Sequence, residues 1–537
     1  MKISGNIVDV FSKRIFSGTL MIEKGHIKDI VEEDNIYSNY ILPGFIDSHV
    51  HIESSLLTPN EFAKAALKNG VVGAVCDPHE IANVAGVNGI DFMLQCTKDV
   101  PFHFLFGAPS CVPASPFDSS GAVLSSKEIE HLFSTKRAFF LAEMMNFVGV
   151  VNEDREVLAK LSLSKKYGFP IDGHAPGLSG QELIKYANAG ISTDHECTNV
   201  HEALEKIKYG MKILIRNGSA AQNLADLAPL FTNCADDLML CSDDIHADHL
   251  LEGGIRSSVK WLVGHGYDIF DILKVACINP VQHYKMDCGL LRVGDKADFI
   301  VVDNLNDFNV QEVYFRGIPS MHFQQKSLPG SFVFPFRDKK IAVDDLLMAK
   351  KSMSMRVIEV IDKQIITNEL LYQWPDDALN NFESTVSEDI LKLVVCNRYE
   401  NKPPVIAFVK GFKLKYGAIA SSVAHDSHNI IAVGVRDEDI VGAVNTIIEN
   451  KGGLAFFSEQ EKEFLPLKYG GLMTGMPAEE VAEAFNRLEK KIAEAGCSLH
   501  SPIMNLSFLA LSVIPTLKLT DKGLFKIAEY SLVDLFC

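Results

Sequence analysis

Gly44-Phe-Ile-Asp-Ser-His-Val-His51 closes the first of a series of short apolar runs, and the rhythm around it decides the fold. On an extended strand, side chains two apart share a face, so Asp47, His49 and His51 point the same way. This run begins at 41 and reads as one strand over 41–52. Further strand-like runs follow at 71–76, 102–108, 138–145, 169–174, 191–195, 212–216 and 237–242. Amphipathic, helix-like stretches separate them at 59–69, 89–99, 153–167, 180–189, 200–209 and 246–263. Eight β/α steps over about 220 residues match the size of a (β/α)8 barrel. A doubly wound sheet would place a glycine-rich phosphate turn after its first strand, and none is present.

On both flanks the texture changes to strands and turns. Period-2 alternation marks 6–8, 18–22 and 26–30, with Lys24-Gly25 as a turn. Similar segments return after Pro280, at 289–298, 299–302 and 313–316. The expected architecture is therefore α/β: a TIM-like barrel over 41–284, a small discontinuous β domain from 1–40 plus 285–335, and an α+β domain over 341–537. Pro329, Gly330 and Pro335 give 328–340 the character of a linker. In the last region, strands are expected at 405–409 and 430–435 and a long helix at 478–495.

Composition narrows the function classes. The 537 residues are 47% hydrophobic and 22% charged, with a formal net charge of −18. Such a surface repels phosphate backbones, so nucleic acid is a poor partner. The 11 cysteines are scattered without a CxxC pair, as in a reducing compartment. No signal peptide is apparent over 1–11, and the apolar run 503–517 is short for a bilayer and carries Asn505, Ser507 and Ser512. The expectation is a cytoplasmic protein with no membrane partner.

An isolated HxH is more cheaply read as two histidines satisfied by backbone hydrogen bonds. Here the signal recurs. Glu143, His174, His195 and Asp243 each follow an apolar run at the C-terminal end of a later strand, where barrel enzymes carry their chemistry. Polar groups placed there are costly unless paired or ligated. Four imidazoles and two carboxylates suffice for two divalent ions bridged by a carboxylate, and nitrogen and oxygen donors suit Mn, Fe or Zn.

This order of residues resembles the amidohydrolase superfamily and, within it, is similar to the bacterial adenine deaminases. The segments that carry the resemblance are 42–55, Asp77-Pro-His-Glu-Ile-Ala-Asn-Val84, Pro109-Ser-Cys-Val-Pro113, Ala142-Glu-Met-Met-Asn146, Asp172-Gly-His-Ala-Pro176, Asp194-His-Glu196, Ser242-Asp-Asp244 and Ala424-His-Asp-Ser-His-Asn429. It implies two divalent ions per chain, Mn2+ first and Fe2+ or Zn2+ as alternatives. Glu143 would bridge them; His49, His51 and Asp243 would hold one, His174 and His195 the other. It also implies a homo-oligomer and purine salvage: hydrolysis of adenine to hypoxanthine and ammonia by a metal-bridging hydroxide. Asp243 would shuttle the proton: only one of two adjacent strand residues can face the lumen, and Asp243 is preferred to Asp244 because it follows the apolar run where superfamily members carry the acid of the eighth strand. His79 and Glu80 would handle the purine ring nitrogens, Glu80 being the candidate to protonate one, although a carboxylate at a helix N-terminus explains the position of Glu80 nearly as well. Glu196 either orients substrate or caps the next helix, and His425 and His428 either lid the pocket and contribute to it, bind a further ion, or make a polar turn. His246 and Asp248 read as a solvated helix start, Cys111 as a buried, inert thiol, and Phe456 and Phe457 as core.

Other readings compete. A cyclic amidase opening a dihydropyrimidine or hydantoin ring could use the same centre with different loops. A metal-free barrel serving as an interaction module should have lost some of the six ligands, and all are present. The zinc deaminases that use HxE with a later PCxxC are excluded by the lack of PCxxC.

Overall fold

A computed structural model describes residues 1–537 except 220, 324–327, 329, 331, 350 and 374–382. Pro329 of the linker-like stretch therefore lies outside the described residues, as do parts of the expected second half of the β domain and of the C-terminal region.

Eight parallel strands form the barrel: Phe45–Val50, Val71–Cys76, His103–Phe106, Leu141–Met144, Ile171–Gly173, Thr193–Asp194, Lys212–Arg216 and Leu238–Cys241. Strands one to three, four and five, and six to eight pair in parallel register, Asp47 opposite Ala74 and Leu214 opposite Met239 among them, and the Ser192 N–H, donating to the Ile171 carbonyl, ties the fifth strand to the sixth. Parallel bridges join Ala108 to Leu141 and close the ring from Val50 to Asp243. All the ligand candidates thus emerge at one rim.

The run 41–52 is not a single strand. Tyr40–Leu42 belongs to a seven-stranded sheet, where it pairs with Lys2–Asp9 on one side and Phe299–Val302 on the other. Pro43 cannot donate to a ladder, and Gly44 packs so tightly on Val72 that a Cβ there would lie 2.3 Å from the Val72 side chain. The backbone changes sheets at that point. The same seven strands include Arg14–Glu23, His26–Glu32, Val310–Phe315 and Ile318–Pro319, so chain from both sides of the barrel shares one sheet. The helix expected over 246–263 is also divided, into Ala247–Glu252 and Ile255–Gly264. Gly253 and Gly254, at φ 152° and 50°, make the break.

The C-terminal region is built on an eight-stranded sheet that includes Ser354–Val360, Leu391–Cys396, Val405–Lys410 and Ile430–Gly434. Helices Asp437–Asn450 and Ala478–Glu494 accompany it. The second carries a continuous buried stripe through Val481, Phe485, Leu488 and Ile492, the spacing that the sequence showed. Leu56 and Thr58 of the barrel exchange backbone hydrogen bonds with Thr474. Helix Pro502–Phe508 and the segment around Ile365 bring apolar side chains over the barrel mouth. Among the described residues, no helix is long and apolar enough to cross a membrane.

Candidate metal centre and active site

The centre grows from strand ends. His49 and His51 leave the first strand on one face, with their Nε2 atoms 3.2 Å apart. His195, from the sixth strand, stacks on His49 at 4.3 Å between ring centres. Glu143, from the fourth, lies between two groups of imidazoles. Its Oε1 is 3.3 Å from His51 Nε2 and 3.4 Å from His79 Nδ1. Its Oε2 is 2.7 Å from His174 Nδ1 and 3.4 Å from His195 Nε2. Asp243 Oδ1 stands 3.4 Å from His49 Nε2 and 3.2 Å from His51 Nε2. Every one of these residues except His174, which is half-buried, is buried.

Electrostatics bind the cluster. Burial alone would raise the Glu143 carboxyl, but His174, His195 and His51 around it hold it well below the usual carboxylate range. Asp243 is likewise held low against burial, by His49 and His51 and by Arg216. Burial pulls His174 down, yet the carboxylates of Glu196 and Glu143 overcome it and hold the imidazole at about 9.

The donor set fits divalent ions. Donors about 2.0–2.2 Å from a tetrahedral ion lie about 3.3–3.6 Å from one another. The separations of 3.2–3.4 Å among His49, His51, Asp243 and Glu143 are close to that spacing. Three mutually close sets recur: His49 with His195 and Asp243, Glu143 with His174 and His195, and His51 with Asp77, His79 and Glu143. Second contacts fix the ligands, since His51 Nδ1 is 3.1 Å from the Asp77 carbonyl oxygen.

A pH dependence follows. His174 titrates at about 9 in the metal-free fold, above its ordinary 6.5. The stabilisation from that proton is complete below 6.5 and lost as the pH rises through 9. An ion must displace it, so divalent-metal affinity of the apoprotein should climb between pH 6.5 and 9, by about tenfold per unit for each proton released. Equilibrium dialysis at three pH values across that range measures it, and a flat profile removes His174 from the ligands.

A second group lies across the barrel. Glu80 sits in the first turn of helix His79–Cys96 and is buried. Its Oε1 is 2.6 Å from His425 Nδ1, and its Oε2 bonds His428 Nε2. Burial would raise Glu80, but His425 and His428 hold it well below the usual range. His425 is raised to about 9 against burial by that same carboxylate. His425 lines the cavity with Glu80 and His79, whereas His428 stands behind Glu80 and is not among the lining residues. His79 contacts Asp77 at 3.1 Å and Glu80 at 3.4 Å.

Asp243 and Asp244 both line the cavity. Strand alternation does not govern them, because the strand ends at Cys241 and Asp243 has φ 57°. Asp243 faces the imidazoles, while Asp244 accepts a 2.5 Å hydrogen bond from Ser54 Oγ. His246 is not at a solvated helix start: it is half-buried and packs on Phe485, with ring centres 4.6 Å apart. Cys111 is buried, receives a hydrogen bond from Ser110, and has its thiol raised by burial. Phe456 is fully buried and Phe457 half-buried in the C-terminal region.

Sequence reasoning missed Arg216, which ends the seventh strand and reaches both Glu196 and Asp243. The signal was present, since a lone charge closing Lys-Ile-Leu-Ile-Arg216 follows the pattern that exposed the other mouth residues. Ile365, Phe508, Leu511 and Ile514, which cover the cavity, gave no such signal.

Comparison with known proteins supplies family context. Residues 40–318 match the model described as the amidohydrolase family, and residues 364–531 match the adenine deaminase C-terminal domain. The chain is 47% identical to a protein named adenine deaminase from Methanosarcina barkeri, over 99% of this chain and 98% of that one. Proteins of the same name from Salinibacter ruber and Borreliella burgdorferi are 45% and 43% identical, each over 99% of this chain and 98% and 99% of their own.

Proposed function

Since the chain belongs to the adenine deaminase family of amidohydrolases, a metal-dependent class, we propose that it hydrolyses the 6-amino group of adenine to give hypoxanthine and ammonia, in purine salvage. The observation that best supports a two-ion centre is the division of Glu143, with one oxygen toward His51 and the other toward His174 and His195. In this reading His49, His51 and Asp243 would hold one divalent ion, His174 and His195 a second, and Glu143 would serve both, with Mn2+ first and Fe2+ or Zn2+ as alternatives. Such a pair, when bound, supplies an activated water at neutral pH.

The protein's own groups do the remaining work. Asp243 presents Oδ1 to His49 and His51 and keeps Oδ2 on Arg216 Nη1 at 2.9 Å. Held ionised at the mouth, it is the base that takes the proton from the attacking water and passes it to the departing amino nitrogen. On the opposite flank His425 holds a proton against Glu80. Glu80 relays that proton to the ring nitrogen next to C6, which stabilises the ring as C6 becomes tetrahedral, and the pair is restored by the proton that the C6 hydroxyl gives up as ammonia departs. His79 orients Glu80 from its other side, at 3.4 Å. Phe508, Leu511 and Ile514 offer apolar cover for a flat ring and exclude water.

The substrate is then a small molecule. The net charge of −18 disfavours nucleic acid as a partner. An ammonia-release assay on adenine, with adenosine and dihydrouracil in parallel and metal content measured on the same sample, tests the reading. Adenine-selective release is expected. Ring opening of dihydrouracil by a metal-loaded sample that is silent on adenine would overturn it.

A further inference from the structure

The cavity has two polar flanks. In a ring of eight strands the second and sixth stand opposite each other, so Glu80, beyond the second, faces Glu196, beyond the sixth, across the ligand cluster. Arg216, from the seventh strand, shares the second flank and is 7% exposed. Its Nη1 donates to Glu196 Oε1 at 2.5 Å and to Asp243 Oδ2 at 2.9 Å, and its Nη2 donates to Glu196 Oε2 at 3.2 Å. A guanidinium has five N–H groups, and these contacts use three. The Nε–H is buried and has no acceptor among the described residues. Arg216 lines the cavity with donors to spare, and a charged donor left unpaired there calls for an acceptor on whatever fills it.

This inference rests on the adenine reading. C6 must reach the ligand cluster, and its neighbours around the purine are N1 on one side and, through C5, N7 on the other. With Glu80 on the N1 side, the N7 edge falls on the flank of Glu196 and Arg216. We propose that Arg216 donates a hydrogen bond to N7, with Glu196 holding the guanidinium in place, and that this contact determines specificity for a purine. A pyrimidine bearing the same amino group offers no acceptor at that position. A ring with carbon in place of N7 leaves the buried donor unpaired.

The test compares kcat/KM for adenine and 7-deazaadenine in the wild type, Arg216→Lys and Arg216→Gln, with metal content measured for each. Arg216→Lys keeps a cation between Glu196 and Asp243 and guards against loss of the centre. The intrinsic reactivity of the two rings is the same in every enzyme and cancels from the comparison. The wild type should prefer adenine by at least about a hundredfold, because a site built to hydrogen-bond a substrate group discriminates strongly against its absence. Arg216→Gln should reduce that preference to below about tenfold. Inhibition by hypoxanthine against 7-deazahypoxanthine should show the same loss of discrimination in binding alone. An undiminished preference in both variants overturns the assignment, as does a change confined to 1-deazaadenine, which would put N1 on this flank. Absence of ammonia release from adenine by the metal-loaded wild type would instead sink the functional reading itself.

Discussion

Glu143→Gln should bind divalent metal at least about a hundredfold more weakly and turn over near background. Partners one bond removed from a metal already cost 10–100-fold, and Glu143 stands inside the cluster. The amide keeps the shape but removes the charge that faces His51, His79, His174 and His195 at 2.7–3.4 Å. His174, raised to about 9 partly by this carboxylate, should titrate lower in the variant. Metal analysis after gel filtration, a histidine NMR titration and ammonia release test these outcomes together. Two retained ions with a normal rate would refute the bridging role.

Asp243→Asn separates proton transfer from ion binding. The amide oxygen can still face His49 and His51, so metal content should fall little, while kcat should drop by about 10²–10⁴, the usual contribution of a placed proton carrier. The control is Asp244→Asn, whose carboxylate is tied to Ser54. It should stay within about tenfold of the wild type. Unchanged kcat in Asp243→Asn with a collapse in Asp244→Asn would exchange the two roles.

The barrel was legible because its strands are local patterns. Each apolar run of about five residues ended in a polar group that only a shared rim could accommodate, and that logic picked out six residues that the structure gathers into one cluster. It erred where backbone geometry departs from the repeat. Pro43 and Gly44 split one run between two sheets, Gly253 and Gly254 split one helix, and the left-handed Asp243 voids the alternation by which only one of Asp243 and Asp244 should face the lumen, since both line the cavity. The flanks of the cavity were harder. Nothing near Glu80 in sequence shows that its carboxylate is gripped by His425 and His428, because that pairing depends on how the C-terminal sheet docks. Ile365 and Phe508 could not be found for the same reason.

The grip of His425 and His428 on Glu80 also has a consequence in time. The last barrel strand ends at Cys241, and His425 is 184 residues further along the chain. At 5–20 residues per second a ribosome takes roughly 10–40 s to cover that distance. During synthesis the strand ends that carry the six candidate residues, and Glu80 with them, are therefore made before the segment that completes the pocket exists. The flank of the pocket that grips Glu80 is thus the last part of the site to be made.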